Sequence, residues 1–397
     1  MLRRMDTYLE PLVTAERLTF YQSLCDFGEK EIAPYILTWE RQHCLLPDKA
    51  ISAMAALGLF GLTVSESYGG QGGGLTELVL MGLALGYYSQ SVAITPGAAT
   101  SLGIKPLQLC GREEQKQAHL PDLAAGSRMF AFGLSEPGRG SDAANPQVTA
   151  TRLPGGWRIQ GEKCWTTNAK WASHIIVHAM TTPEGRPGHR STCFIVPMDH
   201  PNVHYQEMGG KEVWQQSSTG TIAFDHVEIP ETALLGEENE GFRVMVTTLN
   251  GGRLFIAALA LSSLGCALDL CRQYAQERLQ FAEQPIGRFQ RVQDVLLDMD
   301  IALEQGLVWL LHCVNQYEAD TLARESAAKV KIECSRRASE LLPLAMEICG
   351  GVACLDEFGL MRHLRDLFVC RVGEGSNFAL KTLATRPLMP RIQELLQ

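Results

Sequence analysis

The stretch Gly133-Leu134-Ser135-Glu136-Pro137-Gly138-Arg139-Gly140-Ser141-Asp142 marks the point where the character of the sequence changes. Before it, apolar residues recur at helical spacing, and after it short apolar runs alternate with turn-forming residues. Small residues and hydroxyls crowd the exit of a predicted strand here, so free backbone N–H groups could meet an anion or the polar edge of a ring. A decorated β-turn explains the same residues equally well.

The region after this change, residues 128–237, is predicted to be a small β-barrel or sandwich. Its strand-like runs are short, and turn-forming residues such as Leu153-Pro154-Gly155-Gly156 separate them. The runs lie at residues 157–160, 175–178, 192–196 and 221–224.

The regions on either side are predicted to be helical. Residues 1–127 form an N-terminal helical domain, with a helix start at Pro47-Asp48 and a flexible loop, rather than a phosphate-binding loop, at residues 69–74. Residues 238–397 form a helical bundle, in which an apolar stripe runs from Val292 to Tyr317 in steps of three and four residues. No Rossmann or P-loop fingerprint is present, so a nucleotide cofactor would need another architecture.

Composition argues against several classes of partner. Lys and Arg total 35 against 44 Asp and Glu, and the net charge of -9 leaves no electrostatic footprint for nucleic acid. The 12 cysteines lack zinc spacing, so we expect buried reduced thiols and no metal site. We expect no signal peptide and no stretch with the ~18 apolar residues that a membrane span needs, and therefore a cytoplasmic location.

Two further segments could carry chemistry. Gly161-Glu162-Lys163-Cys164-Trp165-Thr166-Thr167-Asn168 offers an aromatic plane on which a flat ligand could stack, although a tryptophan that fills a barrel end is the alternative. Arg371-Val372-Gly373-Glu374-Gly375-Ser376 places a carboxylate between two glycines before a predicted helix. This acid suits a general base, and the alternative is a helix-start acid that interacts with the helix dipole.

In this order and on this layout, the three segments resemble the acyl-CoA dehydrogenase family over nearly the whole chain. Residues 134–142 are close to the family's first signature, which is highly specific. Further matching segments are Lys163-Cys164-Trp165-Thr166-Thr167-Asn168, Asp225-His226-Val227-Glu228-Ile229-Pro230, Glu277-Arg278-Leu279-Gln280-Phe281, Phe289-Gln290-Arg291-Val292-Gln293, Gly350-Gly351 and Arg365-Asp366. The resemblance implies an α+β fold that ends in a four-helix bundle, and an FAD-dependent oxidoreductase of fatty acid metabolism.

The resemblance also implies the reaction, which is α,β-dehydrogenation of an acyl thioester. Glu374 aligns with the glutamate that takes the α proton, while the β hydride passes to flavin N5. A glutamate ordinarily has a pKa near 4.3, so it needs desolvation to become a useful base. Arg253 aligns with an arginine that organises the site beneath the base. The implied substrate-side positions are Ser141, Asn250, Arg253, Gly373 and Gly375.

The same resemblance places the FAD. Trp165 would cover one face of the isoalloxazine and Thr167 would donate to N5, while Leu134 and Ser135 meet the pyrimidine edge. Ser141 would lie near the pyrophosphate or the thioester arm. Positions implied to contact a neighbouring subunit's flavin are Arg278, Phe281, Gly351 and Ser376, and Gln290 and Glu347 are further cofactor positions. We therefore expect a homo-oligomer, a tetramer with a dimer as the alternative.

Three departures from the family pattern carry information. Gly373 stands where many straight-chain members have a tyrosine, which predicts a wider pocket and a branched, cyclic or bulky acyl group. Glu347 replaces a glutamine and adds a negative charge near the flavin's phosphate arm. Gly252 precedes Arg253, so the alternative base position of some branched-chain members is empty, which favours Glu374.

Three other functions stay open at this point. The acyl group could be carried on an acyl carrier protein instead of CoA, or the reduced flavin could react with oxygen, as in an acyl-CoA oxidase or a flavin monooxygenase. A non-catalytic flavin-binding protein is the third, and the intact Glu374 argues against it. The resemblance implies an electron-transferring flavoprotein as the electron acceptor.

Overall fold

A computed structural model describes residues 4–186 and 188–389, and the predicted order of helices, β domain and helices is confirmed. The N-terminal helices are α1 Arg4–Leu9, α2 Ala15–Phe27, α3 Ala33–Gln42, α4 Asp48–Ala56, α5 Leu75–Gly86, α6 Gln90–Ala98, α7 Lys105–Cys110 and α8 Glu113–Ala124. Two π-helical turns, Gly28–Ile32 and Ala99–Ile104, join α2 to α3 and α6 to α7. Helix α4 begins at Asp48 as predicted, and residues 69–74 form the loop before α5.

The central region contains eight strands, and each of the four predicted runs lies inside one of them. They are β1 Met129–Gly133, β2 Thr149–Leu153, β3 Gly156–Thr167, β4 Ala172–Met180, β5 Ser191–Pro197, β6 Val203–Glu207, β7 Thr219–Pro230 and β8 Leu234–Leu235. Strands β6, β7, β3 and β2 pair in that order, and β1, β4, β5 and β8 pair in a second group. The pair Thr149 and Met180 joins the two groups.

Apolar side chains from both groups form one core, which makes the domain a sandwich. Trp157 of β3, Ile175 of β4, Phe194 of β5 and Val227 of β7 are all buried in the same cluster. Alternate residues of a strand point to opposite faces, so each strand contributes every second side chain to this layer.

The C-terminal part is a bundle of long helices. They are α9 Gly241–Glu277, α10 Gln290–Glu318, α11 Arg324–Cys349, α12 Leu360–Val372 and α13 Asn377–Thr385, with a short hairpin of β9 Leu279–Gln280 and β10 Gln284–Pro285 after α9. The predicted stripe on α10 faces the core, because most of its residues from Val295 to Val314 are buried. Nine of the twelve cysteines are buried, and all twelve are free.

The N-terminal and C-terminal helices share a single hydrophobic core rather than forming two. Phe255 of α9 is 1% exposed and fills a space left by two glycines. A β-carbon at Gly82 of α5 would lie 2.7 Å from its ring, and one at Gly97 of α6 would lie 2.2 Å from it. Only glycine allows α5 and α6 to approach α9 this closely.

The prediction that no stretch of the chain is apolar enough to span a membrane was wrong. Within the described residues, α9 contains an 18-residue window with a mean hydropathy of 2.0, which is long and apolar enough to cross a membrane. That window is 94% buried inside the protein. Its apolar character therefore serves the contact with the surrounding helices.

Truncation of Phe255 tests the shared core. We expect Phe255→Ala to lower the free energy of unfolding by about 3–5 kcal/mol, because the glycines opposite cannot fill the cavity. Leu57→Ala, at a side chain that is 48% exposed, is the control and should change it by less than about 0.5 kcal/mol. Denaturant unfolding of both variants measures the difference, and equal losses would contradict a single core.

Candidate active site

Glu374 lies on a tight loop between α12 and α13. Its backbone φ is 55° and that of Gly375 is 94°, so two consecutive residues adopt the left-handed region. This conformation costs a non-glycine residue about 1–2 kcal/mol. Ser376 caps α13, since its hydroxyl accepts a hydrogen bond of 3.2 Å from the Ala379 N–H. The N-cap of α13 is therefore Ser376, and Glu374 lies two residues before it.

The Glu374 carboxylate points inward, onto Gly252 of α9. A β-carbon at position 252 would lie 2.4 Å from both carboxylate oxygens, so only glycine leaves room for the acid. Oε2 is buried and has no hydrogen-bond partner among the described residues. Burial raises the pKa of Glu374 to about 7, and the charges of Arg253 and Lys331 oppose this rise. A partnerless carboxylate with a raised pKa is suited to accept a proton.

Two cations hold the backbone carbonyls of Glu374 and of the residue after it. Arg253 donates from Nε to the Glu374 carbonyl at 3.3 Å and from Nη1 to Asn250 Oδ1 at 2.9 Å. Lys331 of α11 donates from Nζ to the Gly375 carbonyl at 2.8 Å and to Asn377 Oδ1 at 2.9 Å. The Lys331 side chain is fully buried, and its pKa is lowered to about 8 by that burial. The loop is thereby fixed at two successive carbonyls.

Sequence reasoning found Arg253 and missed Lys331. The signal that was present is a lysine inside an otherwise apolar helical stripe, flanked by buried residues such as Ala327 and Cys334. A lysine is almost never fully buried without a partner, so a lysine at such a position predicts hydrogen-bond acceptors close to its ammonium group.

A second group of predicted residues lies at the end of β3. Trp165 has a φ of 57° in an irregularity of the β3–β7 ladder, and its side chain is 66% exposed. The Cys164 N–H donates to the Ser135 carbonyl at 2.9 Å, which places Ser135 beside this tryptophan. The hydroxyls of Ser135 and Thr167 make no hydrogen bond to another described residue. An open aromatic face with free hydroxyls near it fits a planar cofactor such as a flavin.

A buried ion pair fixes this group. Lys163 Nζ lies 2.7 Å from Glu136 Oε1 and donates to the Leu134 carbonyl at 3.1 Å, and both charged side chains are at most 1% exposed. The Glu136 carboxylate also accepts the N–H groups of Gln147 at 2.6 Å and Val148 at 3.1 Å. The pair was not singled out from the sequence, because 27 residues separate its members.

A chain of contacts through α6 connects the two groups. Asn168, which follows β3, donates from Nδ2 to the Thr95 carbonyl of α6 at 2.8 Å. Gly97 of the same helix packs on Phe255 of α9, and Gly252, three residues earlier, receives the Glu374 carboxylate. The tryptophan segment, residues 163–168, and the Glu374 carboxylate therefore flank the same part of the helical core.

The remaining predicted cofactor residues lie elsewhere in the chain. Arg278 follows the end of α9, which puts it roughly 40 Å from Gly252 at ~1.5 Å per residue. Phe281 is 79% exposed at the hairpin tip, and Gln290 and Glu347 are exposed as well. Gly351 has open space around it. Within one chain, Arg278 is therefore far from Glu374.

The other residues predicted to lie on the substrate side of the site do not share one location. Ser141 is exposed on the loop after β1, and Asn250 uses its Oδ1 to accept from Arg253. A β-carbon at Gly373 would lie 3.1 Å from the Val369 carbonyl. The nearby backbone therefore disfavours a larger residue here, apart from any effect on the width of a pocket. Within the described residues, no group of three or more His, Cys, Asp or Glu side chains could hold a metal ion.

Comparison with known proteins identifies the class to which this fold and site belong. Models of the acyl-CoA dehydrogenase N-terminal, middle and C-terminal domains match residues 14–127, 131–227 and 239–388. The chain belongs to the acyl-CoA dehydrogenase family.

Individual relatives cover nearly the full chain. It is 35% identical to the probable acyl-CoA dehydrogenase YngJ of Bacillus subtilis (strain 168), over 95% of this chain and 99% of the relative. The butyryl-CoA dehydrogenase structure from Megasphaera elsdenii is similar with a TM-score of 0.91 and 31% identity, over 95% and 99% of the two chains. A chain in a structure of the electron transferring flavoprotein of Acidaminococcus fermentans also has a TM-score of 0.91, with 30% identity over 95% and 98%.

Loss of one member of the buried ion pair tests the anchor of the tryptophan segment. We expect Glu136→Gln to destabilise the protein by about 3–5 kcal/mol, because it leaves the Lys163 ammonium buried without a counter-charge. The double variant Glu136→Gln, Lys163→Met should recover most of this loss. Thermal and denaturant unfolding measure both, and a single variant as stable as the wild type would exclude the anchoring role.

Proposed function

We propose that this protein is an FAD-dependent acyl-CoA dehydrogenase in which Glu374 removes the α proton of the acyl thioester. Membership of the acyl-CoA dehydrogenase family supports the reaction class. The observation that carries the assignment of the base is the buried Glu374 Oε2, which has no partner among the described residues. A carboxylate oxygen that is buried and unpaired is free to accept a proton from a bound ligand.

FAD is the cofactor that the exposed Trp165 face and the free hydroxyls of Ser135 and Thr167 fit best. A solved FAD complex of PigA, 27% identical with a TM-score of 0.90, supports this assignment. The bound flavin supplies the acceptor for the β hydride. Leu134 and Ser135 present backbone and hydroxyl groups to its edge, and the Lys163–Glu136 pair keeps them in place.

The backbone at Glu374 has a second role in the proposal. The Glu374 N–H makes no hydrogen bond to another described residue, so it is available to donate to the thioester oxygen. Such a donor stabilises the negative charge that develops when the α proton leaves. Arg253 and Lys331 contribute by holding the adjacent carbonyls, which fixes both the N–H and the carboxylate.

The position of the carboxylate explains why the base comes from the loop. Gly252 occupies the alternative base position on α9, and any side chain there would collide with the Glu374 oxygens. The two positions therefore exclude each other in this chain. We also propose that Gly373 widens the pocket, so that it accepts a branched, cyclic or bulky acyl group.

Oligomer and partners are part of the same proposal. The exposed Phe281 at the hairpin tip, and the distance of Arg278 from Glu374, support a homo-oligomer in which these residues reach a neighbouring subunit's flavin. Exposed apolar residues on α10, Leu297, Ile301 and Val308, offer a surface for such contacts. We propose an electron-transferring flavoprotein as the acceptor and a cytoplasmic location.

Replacement of the base is the direct test. Glu374→Gln should keep its bound flavin and lose about 100- to 10,000-fold in the rate of flavin bleaching by acyl-CoA under anaerobic conditions, because the α proton has no acceptor. Glu304→Gln, an exposed acid on α10, is the matched control and should bleach at the wild-type rate. Bleaching of the Glu374→Gln variant at the wild-type rate would refute the assignment.

The pH dependence tests the role of Lys331. The wild-type rate should rise with pH through about 7, since Glu374 must be deprotonated to act, and it should be lost below that pH. Lys331→Met removes a nearby positive charge, so the limb should move to higher pH, and the maximal rate should fall on the order of 10- to 100-fold as the loop loosens.

Lys329→Met, on the same helix, is the control for this variant. It should leave both the pH limb and the maximal rate unchanged. A Lys331→Met enzyme that is merely less stable, with the limb in its wild-type position, would show that Lys331 acts on folding alone.

A further inference from the structure

A cavity of about 260 Å³ borders the proposed active site. It lies between the start of α5, the π-helical turn at Ala99–Ile104, α7, α9 and α10. Gly251 of α9 lines it, and the next residue, Gly252, faces the Glu374 carboxylate. Consecutive Cα atoms are ~3.8 Å apart, so the cavity and the base lie against neighbouring faces of the same part of α9. The far end of an acyl group held at Glu374 would enter this space.

The wall of the cavity is unusually polar for a site that would hold a hydrocarbon tail. Seven of its thirteen lining residues have polar side chains. They include Thr63, Lys105 and Gln108. Thr63 Oγ1 and Gln108 Oε1 are buried and have no hydrogen-bond partner among the described residues. A wall with this many polar side chains offers an alkyl chain a poor match, which disfavours its binding.

Lys105 gives the cavity a positive charge. Its Nζ lies 5.7 Å from the centre of the Tyr317 ring, and it makes no hydrogen bond or ion pair with another described residue. Burial lowers the pKa of Lys105, and no carboxylate offsets this effect. The two fully buried lysines are paired, Lys163 with Glu136 and Lys331 with two oxygens, whereas the half-buried Lys105 has no such partner. A desolvated cation without a counter-charge is costly unless a ligand supplies one.

We propose that the acyl group of the substrate ends in a carboxylate, which enters this cavity and pairs with the Lys105 ammonium. The substrate class is then the mono-CoA thioesters of short dicarboxylic acids. This inference rests on the proposed acyl-CoA dehydrogenase function and specifies its substrate.

The cavity volume limits the size of the tail. A cavity of ~150 Å³ accommodates benzene, so one of 260 Å³ takes roughly ten non-hydrogen atoms. A short chain with a terminal carboxylate fits within this limit. A long unbranched acyl chain does not fit this space.

The test compares substrates on the wild-type holoenzyme. Adipyl-CoA and hexanoyl-CoA have the same number of carbons and the same CoA, and they differ in the terminal carboxylate. We expect kcat/KM for adipyl-CoA to exceed that for hexanoyl-CoA on the order of 100-fold. The methyl half-ester of adipyl-CoA and 6-hydroxyhexanoyl-CoA, which keep polar tails without the charge, should behave like hexanoyl-CoA. Flavin bleaching and turnover with an artificial electron acceptor provide the readouts.

A variant assigns the preference to the lysine. Lys105→Met should abolish the preference for adipyl-CoA while hexanoyl-CoA turnover is maintained or improved, and Lys49→Met, an exposed lysine on α4, should preserve the preference. If Lys105→Met does not fold, the wild-type comparison of the four thioesters decides by itself.

The other outcomes separate this inference from the function on which it rests. Turnover of hexanoyl-CoA equal to or faster than that of adipyl-CoA would overturn the carboxylate while leaving the dehydrogenase function in place. Equal turnover of the hydroxy and carboxylate substrates would overturn the charge pairing in the same way. If none of the thioesters bleaches the flavin, both the function and the inference fail.

Discussion

The arrangement on which the site depends is a single carboxylate that is buried without a partner. Burying an ionisable acid without a partner is unfavourable. The protein holds this acid in place by binding the backbone of its loop instead of the carboxylate. Arg253 and Lys331 bind the Glu374 and Gly375 carbonyls, so the side chain is positioned while its oxygens stay free. Gly252 provides the space. Had either cation bound the carboxylate directly, its pKa would fall and the acid would lose its capacity as a base.

The fold supplies the rigidity that this arrangement requires. Glu374 sits on a loop, and loops are ordinarily the most mobile parts of a protein. Here the loop is short, it is fixed at both ends by α12 and α13, and it rests on α9, the central helix of the shared core. The β-sandwich is attached to the same core through Asn168 and α6. The acid and the tryptophan segment are consequently held by one continuous packed structure.

Two buried lysines and the half-buried Lys105 illustrate how one residue type serves different purposes. Lys163 has a carboxylate and a carbonyl as partners and anchors a loop. Lys331 has a carbonyl and an amide oxygen, and positions the base without neutralising it. Lys105 has no such partner within the described residues and faces a cavity. Because the cost of burying an ammonium must be offset, the nature of each partner, or its absence, indicates what the lysine does.

The sequence by itself determined the order of helices, β domain and helices, the four strand positions, the α10 stripe and the acid–glycine loop, because these depend on local periodicity and turn chemistry. The motif order also indicated the family. The tertiary structure alone decided that the two helical regions share a core, that the Glu374 carboxylate rests on Gly252, and that Lys163, Lys331 and Lys105 differ in their partners. Those features join residues far apart in the chain, and no local pattern encodes the distance between them.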